Sequence, residues 1–272
     1  MMKHMQKIDT LTRKERIETE ITSTDQILLR SGEKQKKLRT ELKYLVSHAF
    51  PNMPKQDLDS YISDYFIQPG EKLRRQVIFF RNESDKLIAA TIFDYKEVQY
   101  GDTLTRGIYL ISRTILPECQ GAGLGKTIAQ KILTEFQADV LFTTCAQSSS
   151  LHSWVGLPEM GLMKKFEVYP RLEQKGILKT LPYRDLNFAI SVFRQVYFGV
   201  AEGKQENLDE AIRNLTVVMV RKNLYGKMYD FNPWEKNKRE DKLAKALGVT
   251  NKDGVLVMFR KKDCDSSFAP LN

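Results

Sequence analysis

A glycine-rich joint between a strand-like run and an amphipathic helix constrains this 272-residue chain more than any other feature. The run from Gly107 to Ile115 is rich in β-branched residues, and Pro117 closes it because proline cannot donate to a central ladder. Glycines then stand at alternate positions, at Gly121, Gly123 and Gly125. Glycine lets backbone N–H groups approach a ligand without interference from Cβ, and the following helix presents its positive end. The joint therefore predicts an anion site suited to phosphate.

The helix after the joint is indicated by apolar residues that recur on one face. They are Leu124, Ile128, Ile132, Leu133 and Phe136. Lys126 and Lys131 lie elsewhere on its surface and are candidates to meet phosphate charge or to be solvated. An ordinary turn between a strand and a helix, whose glycines serve only tight packing, is the alternative interpretation.

A P-loop is the first kind of phosphate loop to compare with the joint. Its pattern, G-x-x-x-x-G-K-[ST], agrees with Gly125, Lys126 and Thr127 at its end. Its first glycine belongs at position 120, where this chain has Gln120. The pattern thus argues against a nucleotide hydrolase.

A second pattern, Gln-x-x-Gly-x-Gly, is met in full by Gln120, Gly123 and Gly125. With Ile115, Pro117 and Gly121 also in place, the segment resembles the GNAT superfamily of acyl-CoA-dependent N-acetyltransferases. The order of predicted elements extends the resemblance, more weakly, from about Thr24 to Arg171. It implies direct transfer of an acetyl group from acetyl-CoA to an amine acceptor, a small molecule or a protein, with no metal.

The resemblance also implies which residues bind acetyl-CoA. They are Ile115, Leu116, Gln120, Gly121, Ala122, Gly123, Leu124, Gly125, Lys126 and Thr127. Backbone N–H groups at Ile115 and Leu116 are expected to hold the pantetheine and polarise the thioester carbonyl. A GNAT-fold protein that binds CoA without turnover, as a sensor or interaction module, remains an alternative.

The residues for proton transfer depart from the family pattern. The usual tyrosine position falls at Leu157, and the usual base position near Tyr109. The remaining candidates for catalysis are His152, Ser150 and Tyr169, and Glu118 is a loop carboxylate that could act as a base. Cys145, seven residues before His152, permits a covalent acyl-enzyme, although a buried free cysteine more often acts as a small hydrophobe.

The predicted fold is mixed α/β (α+β): a GNAT-like twisted, largely antiparallel central sheet with flanking helices. Strands are predicted over 25–30, 76–81, 87–95, 107–115, 139–145 and 166–171. Helices are predicted over 33–50, 54–66 and 149–156, besides the one that follows the glycines.

The predicted organisation has a flexible segment at 1–23 and the acyl-CoA-binding domain at 24–172. A mostly helical segment follows at 173–253, either an insertion or a C-terminal subdomain, and is expected to shape the acceptor side. Residues 254–263 supply a possible last strand, and 264–272 form a tail.

Composition predicts a cytoplasmic protein. The chain has no apolar run long enough to span a bilayer, its start lacks the core of a signal peptide, and its three cysteines are scattered. The net charge of +9 comes mostly from residues 221–263, where acidic residues are interspersed among the basic ones. No nucleic-acid-binding motif accompanies them, which argues against nucleic acid as a partner. The oligomeric state is left open.

Overall fold

The computed structural model describes residues 3–6, 17–67, 73–100, 102–121, 123–145, 154, 164–172, 177–180, 183–197, 220–221, 241–249 and 254–262. The helices are α1 (Thr24–Leu28), α2 (Gly32–Ala49), α3 (Lys55–Ser63), α4 (Leu124–Glu135), α5 (Tyr183–Tyr197) and α6 (Asp241–Leu247). The strands are β1 (Lys3–Gln6), β2 (Ile17–Ser23), β3 (Arg74–Arg81), β4 (Leu87–Tyr100), β5 (Thr103–Ile115), β6 (Val140–Cys145), β7 (Phe166–Tyr169), β8 (Arg171–Leu172), β9 (Leu178–Lys179), β10 (Val220–Arg221) and β11 (Gly254–Lys261). Short 3₁₀ turns cover Asp64–Phe66 and Pro117–Cys119. Within these residues, no helix combines the length and the apolar character needed to cross a membrane.

The chain forms two compact units. The first consists of Met1–Asp94 and Leu110–Ile128, and the second of Tyr95–Tyr109 and Ala129–Asn272, so β4, β5 and α4 contribute to both. Strands follow the order β1-β2-β3-β4-β5 in the first unit and β4-β5-β6-β11-β10 in the second, where β7 also pairs with β11. The β1–β2, β2–β3, β6–β11, β7–β11 and β10–β11 pairs are antiparallel. The prediction of a largely antiparallel sheet with flanking helices is confirmed.

In the first unit, helices pack on the sheet through residues at helical spacing. The buried face of α2 consists of Leu38, Leu42, Leu45 and Val46. Arg81 of β3 fixes α2 from the sheet side, because its guanidinium donates to both carboxylate oxygens of Glu41, at 3.1 and 2.6 Å. The tyrosines of α3 and of the 3₁₀ turn reach β5, where Tyr61 Oη lies 2.8 Å from Thr114 Oγ1 and Tyr65 Oη lies 3.3 Å from Ser112 Oγ.

In the second unit, α5 packs against β5 and β6 through aromatic rings. The Phe193 ring meets Tyr109 and Phe142 edge-on, with centroids 5.8 and 5.1 Å apart. The helix passes so close to β5 that a Cβ built on Gly107 would lie 2.8 Å from Cγ1 of both Val192 and Val196. Glycine is therefore required at position 107 for space.

Gly107→Ala is expected to destabilise the protein by about 1–3 kcal/mol, because the added methyl group overpacks the contact with α5. Urea denaturation of the full chain measures the change. Gly32→Ala is the matched control: a Cβ at Gly32, the first residue of α2, meets nothing within 4 Å, so this substitution should be neutral or stabilising. Equal midpoints for the two variants would contradict the close contact.

The strand predicted over 25–30 is wrong, since these residues fall in α1 and the turn after it. Ser23 caps this helix by accepting a hydrogen bond from the Gln26 N–H at 3.2 Å, and Asp25 stands in its first turn. In place of that strand, β2 pairs with β3 and β1 pairs with β2, and both strands lie within the segment predicted to be flexible. The helix predicted over 149–156 lies outside the described residues, apart from Trp154, which is helical.

The strand predicted near residue 254 is present as β11. It pairs with β6 on one side and β7 on the other. The strands that precede and follow the segment between β7 and β11 are therefore paired with each other in one sheet.

Candidate functional site

The candidate site begins where β5 ends, in the first unit. The Leu116 N–H donates to the Ile88 carbonyl at 3.0 Å, which continues the β4–β5 pairing past the end of the strand. The chain then folds into the 3₁₀ turn, in which the Cys119 N–H donates to the Leu116 carbonyl at 2.9 Å. Because its N–H is used within the sheet, Leu116 cannot offer that group to a ligand. Successive residues of a strand alternate in direction, so the N–H of Ile115 points away from β4.

Two of the three glycines are required by their backbone torsions. Gly121 has φ of +82° and Gly123 has φ of +80°, values that L side chains rarely adopt. A Cβ at either position would meet nothing within 4 Å, so the loop is open beside both residues. The torsions turn the chain from the 3₁₀ turn into α4 and leave an exposed backbone at the joint.

The N-terminus of α4 is capped by a backbone carbonyl. Gly123 O accepts from the Lys126 N–H at 3.0 Å and from the Thr127 N–H at 3.1 Å. Helix geometry leaves the N–H groups of Leu124 and Gly125, ahead of these, without a carbonyl on the same helix. These groups and the positive end of the helix dipole together attract an anion.

Gln120 ties the loop back to the strand. Its Nε2 donates to the Ile115 carbonyl at 3.1 Å, and the side chain is otherwise exposed. The glutamine of the Gln-x-x-Gly-x-Gly pattern therefore has a structural reason here, because the bond sets the distance between the end of β5 and the glycines.

Arg113 is a residue of the site that the sequence pattern did not single out. It lies on the opposite face of β5 from Thr114, and its Nη1 donates to the Gly125 carbonyl at 3.0 Å. A Cβ on Gly125 would lie 3.2 Å from that nitrogen and 3.4 Å from Cζ. At the third glycine, unlike the first two, an added Cβ would meet a close neighbour, and the end of the Arg113 side chain would have to shift by a few tenths of an ångström. Only the combination of strand direction and helix position reveals this pair.

Glu118 is a poor candidate for a base. The exposed carboxylate pairs with Lys86, with Oε1 3.2 Å from Nζ. A hydrogen bond from the backbone of Glu118 itself, and next the bond from Lys86, lower the pKa of this carboxyl. A carboxylate with a lowered pKa binds a proton less readily, which disfavours proton abstraction from an amine.

The charged residues of α4 have separate surroundings. Lys126 is half-buried in the first turn, and its own N–H donates to the Gly123 carbonyl that caps the helix. Lys131 lies farther along, buried, and its Nζ is 3.3 Å from Glu135 Oε1. Lys126 therefore remains a candidate for phosphate, whereas Lys131 is held by its own helix.

Of the predicted catalytic residues, Tyr169 lies in the described part of the chain, and Ser150 and His152 lie outside it. Ala122, predicted to bind acetyl-CoA, also lies outside it. Tyr169 belongs to β7 in the second unit and is buried, and its hydroxyl donates to Glu167 Oε2 at 3.1 Å. Cys145 lies at the end of β6 and is buried. Within the described ranges, no group of three or more His, Cys, Asp or Glu residues is placed to hold a metal ion.

Tyr169 is expected to ionise at about pH 12, because burial first and the Glu167 carboxylate next raise its pKa to about 12. The folded-state value lies above the ordinary 10.0, so its contribution to stability is complete below about pH 10 and is lost as the pH rises towards 12. The difference in phenolate absorbance between the wild type and Tyr169→Phe measures the midpoint. Glu167→Gln, the control, should lower it, and a midpoint near 10 in the folded wild type would contradict this environment.

Comparison with solved structures finds distant similarity to acetyltransferases. A ribosomal-protein-alanine N-acetyltransferase from Brucella melitensis biovar Abortus has 12% identity and a TM-score of 0.32, over 47% of this chain and 78% of its own. An aminoglycoside antibiotic 6'-N-acetyltransferase from Acinetobacter baumannii has 16% identity and a TM-score of 0.28, over 44% and 71%. The chain matches no protein-family model and no curated protein. Similarities this distant assign neither an activity nor a substrate.

Proposed function

We propose that this protein is an acyl-CoA-dependent N-acetyltransferase that holds the pyrophosphate of acetyl-CoA at the joint between β5 and α4. The observation that carries the proposal is the pair of left-handed glycines, Gly121 and Gly123, set directly before a helix whose first N–H groups lack a helical partner. A pyrophosphate requires several N–H donors in an open, positive environment, and these residues fit that requirement. The Gln-x-x-Gly-x-Gly pattern supports an acyl-CoA over a nucleoside triphosphate.

The chain contributes binding and orientation to the reaction. Acetyl-CoA supplies an activated acyl group as a thioester, which an amine can attack directly in a ternary complex. Ile115, whose N–H points away from β4, is the strand residue suited to donate to the pantetheine or the thioester carbonyl. Gln120 keeps that strand end at a fixed distance from the phosphate loop, so that the two ends of the donor are positioned together.

The proton-transfer groups belong to the same proposal. An acid is needed to protonate the departing thiolate, and a base is needed to take a proton from the attacking amine. Tyr169, His152 and Ser150 are the candidates for these roles, and the raised pKa of Tyr169 makes its hydroxyl a weaker acid than that of an ordinary tyrosine.

Release of free CoA thiol from acetyl-CoA in the presence of an amine panel tests the proposal. The panel should include an N-terminal peptide, a lysine peptide, a polyamine and an aminoglycoside. Amine-dependent release is expected with at least one class of acceptor, together with a mass increase of the acceptor by one acetyl group. Saturable binding of acetyl-CoA without release for any amine would instead favour the non-catalytic CoA-binding module.

A further inference from the structure

Two tyrosine hydroxyls meet two hydroxyls of β5 in the first unit, just before the strand ends. Tyr61 Oη, on α3, lies 2.8 Å from Thr114 Oγ1, and Tyr65 Oη, in the following 3₁₀ turn, lies 3.3 Å from Ser112 Oγ. Thr114 and Tyr65 are buried. Burial raises the pKa of Tyr61, and hydrogen bonds to Ser112 and Thr114 offset only part of the rise, so the phenol keeps its proton at neutral pH. A buried pair of hydroxyls thus holds the end of β5 to α3.

The pair formed by Tyr61 and Thr114 is not needed to fill space. Phenylalanine and valine have nearly the same shapes, and an apolar pair would avoid the cost of taking two hydroxyls out of water. What the hydroxyls add is direction, because a hydrogen bond is strong only over a narrow range of distance and angle. The bond therefore fixes the orientation of Thr114 more closely than packing alone would.

The orientation of Thr114 bears directly on the N–H of Ile115, because one planar peptide unit joins the two residues. This N–H points away from β4. Beyond it, the Ile115 carbonyl accepts from Gln120 Nε2 at 3.1 Å, and the Leu116 N–H is bonded to β4 at 3.0 Å. The peptide unit is therefore held from Gln120 and Leu116 on its C-terminal side, and from Tyr61 on its N-terminal side.

We propose that Tyr61 is a positioning residue for the acyl donor: through Thr114, it fixes the direction in which the Ile115 N–H meets the thioester carbonyl. The inference rests on the proposed function and deepens it, because it assigns control of that N–H to α3, outside the glycine loop. A donor that is already aligned stabilises a developing oxyanion without reorganising at the moment of reaction. The phosphate end of the acyl donor is bound elsewhere in the proposed site, so its binding should not depend on Tyr61.

Steady-state kinetics of the full chain test this role, with acetyl-CoA and an amine that the wild type accepts. Tyr61→Phe keeps the ring and removes the hydroxyl. It should lower kcat about tenfold and leave KM for acetyl-CoA nearly unchanged, as expected when an interaction is lost mainly in the transition state. Calorimetry with acetyl-CoA should give the same Kd for the wild type and the variant. An unchanged kcat, or a fall in kcat with an equal loss of acetyl-CoA affinity, would overturn the proposal.

The double variant Tyr61→Phe with Thr114→Val separates positioning from folding. Each single variant leaves one hydroxyl of the pair without its partner and should lower the urea midpoint. The double variant removes both hydroxyls and should recover most of the midpoint, since both groups are then apolar and of similar shape. Its kcat should stay low, because no hydrogen bond directs the peptide unit. Recovery of kcat together with the midpoint would show a purely structural role and overturn the proposal.

Thr91→Val is the matched control. Thr91 Oγ1 of β4 is buried and donates to the Ser112 carbonyl at 2.8 Å, so the variant removes another buried hydrogen bond to the same strand, ahead of Thr114. It should lower the urea midpoint and leave kcat unchanged. A loss of kcat equal to that of Tyr61→Phe would show that kcat responds to any loosening of β5, and would overturn the specific role of Tyr61.

Failure of the proposed function is distinguishable from failure of this inference. A wild type that transfers an acetyl group to no amine contradicts the proposed function and, with it, the role of Tyr61. A wild type that transfers the acetyl group, with a Tyr61→Phe variant that does so at the same rate, overturns the role of Tyr61 alone.

Discussion

Substitution of Gly123 by aspartate is expected to abolish binding of acetyl-CoA. Gly123 has φ of +80°, and its carbonyl caps α4 through the N–H groups of Lys126 and Thr127. An aspartate adds backbone strain and, more importantly, a negative charge at the point where the phosphates are proposed to dock. Two unit charges 4 Å apart near a protein surface interact by about 4 kcal/mol, which corresponds to a loss of affinity of roughly 1,000-fold. Isothermal titration calorimetry of the full chain with acetyl-CoA measures the loss.

Gly123→Asn is the control for this prediction, since asparagine has nearly the same shape as aspartate, carries no charge and tolerates the left-handed region. It should keep measurable affinity and lose only what the strain and the bulk remove. If the aspartate variant binds acetyl-CoA as tightly as the asparagine variant does, the loop does not hold the phosphates.

The largest loss of stability is expected from Asp94→Ala. Asp94 is fully buried on β4 and accepts two hydrogen bonds from Arg75 of β3, from Nε at 2.8 Å and from Nη2 at 3.1 Å. Arg75 is itself buried, and its Nη1 lies 3.7 Å from Asp64 Oδ1. Removal of the Asp94 carboxylate leaves a buried guanidinium without its main counter-charge, which destabilises proteins by about 3–5 kcal/mol. Urea denaturation measures the change in the free energy of unfolding.

Two further variants test whether the loss of stability comes from an unpaired buried charge. Asp59→Asn removes an exposed carboxylate that lies 3.6 Å from Lys43 Nζ and should change stability by no more than about 1 kcal/mol. The double variant Arg75→Met with Asp94→Leu replaces both buried charges by apolar groups and should recover most of the loss, since the Asp64 carboxylate that loses its contact with Arg75 is partly exposed. An Asp94→Ala variant as stable as the wild type would show that the Asp94–Arg75 pair is not buried as described.

Local patterns in the sequence were sufficient to predict the main helices and most strands. The face of α2 and the β-branched runs of β4 and β5 carry strong helical and strand signals, and the structure confirms them. The short apolar run Ile27-Leu28-Leu29 is too short to show a helical or a strand periodicity. It is helical because Ser23 caps the N-terminus of the helix. The β2 strand could not be predicted from its polar sequence, because its place depends on pairing with β3.

The sequence likewise predicted only some features of the candidate site. The left-handed torsions of Gly121 and Gly123 could be expected from the pattern, because glycine is the residue that adopts them readily. The close contacts at Gly107 and Gly125 could not be predicted, because they involve side chains distant in sequence. These are Val192 and Val196 for Gly107, and Arg113 for Gly125. The roles of Ser150 and His152 stay predictions.

The most direct test of the central claim is calorimetric titration of the wild-type full chain with acetyl-CoA, and in parallel with ATP and Mg²⁺. Acetyl-CoA is expected to bind saturably at one site for each chain, while ATP with Mg²⁺ binds weakly or not at all. Binding of ATP with Mg²⁺ and none of acetyl-CoA would contradict the assignment of the glycine loop to an acyl-CoA pyrophosphate.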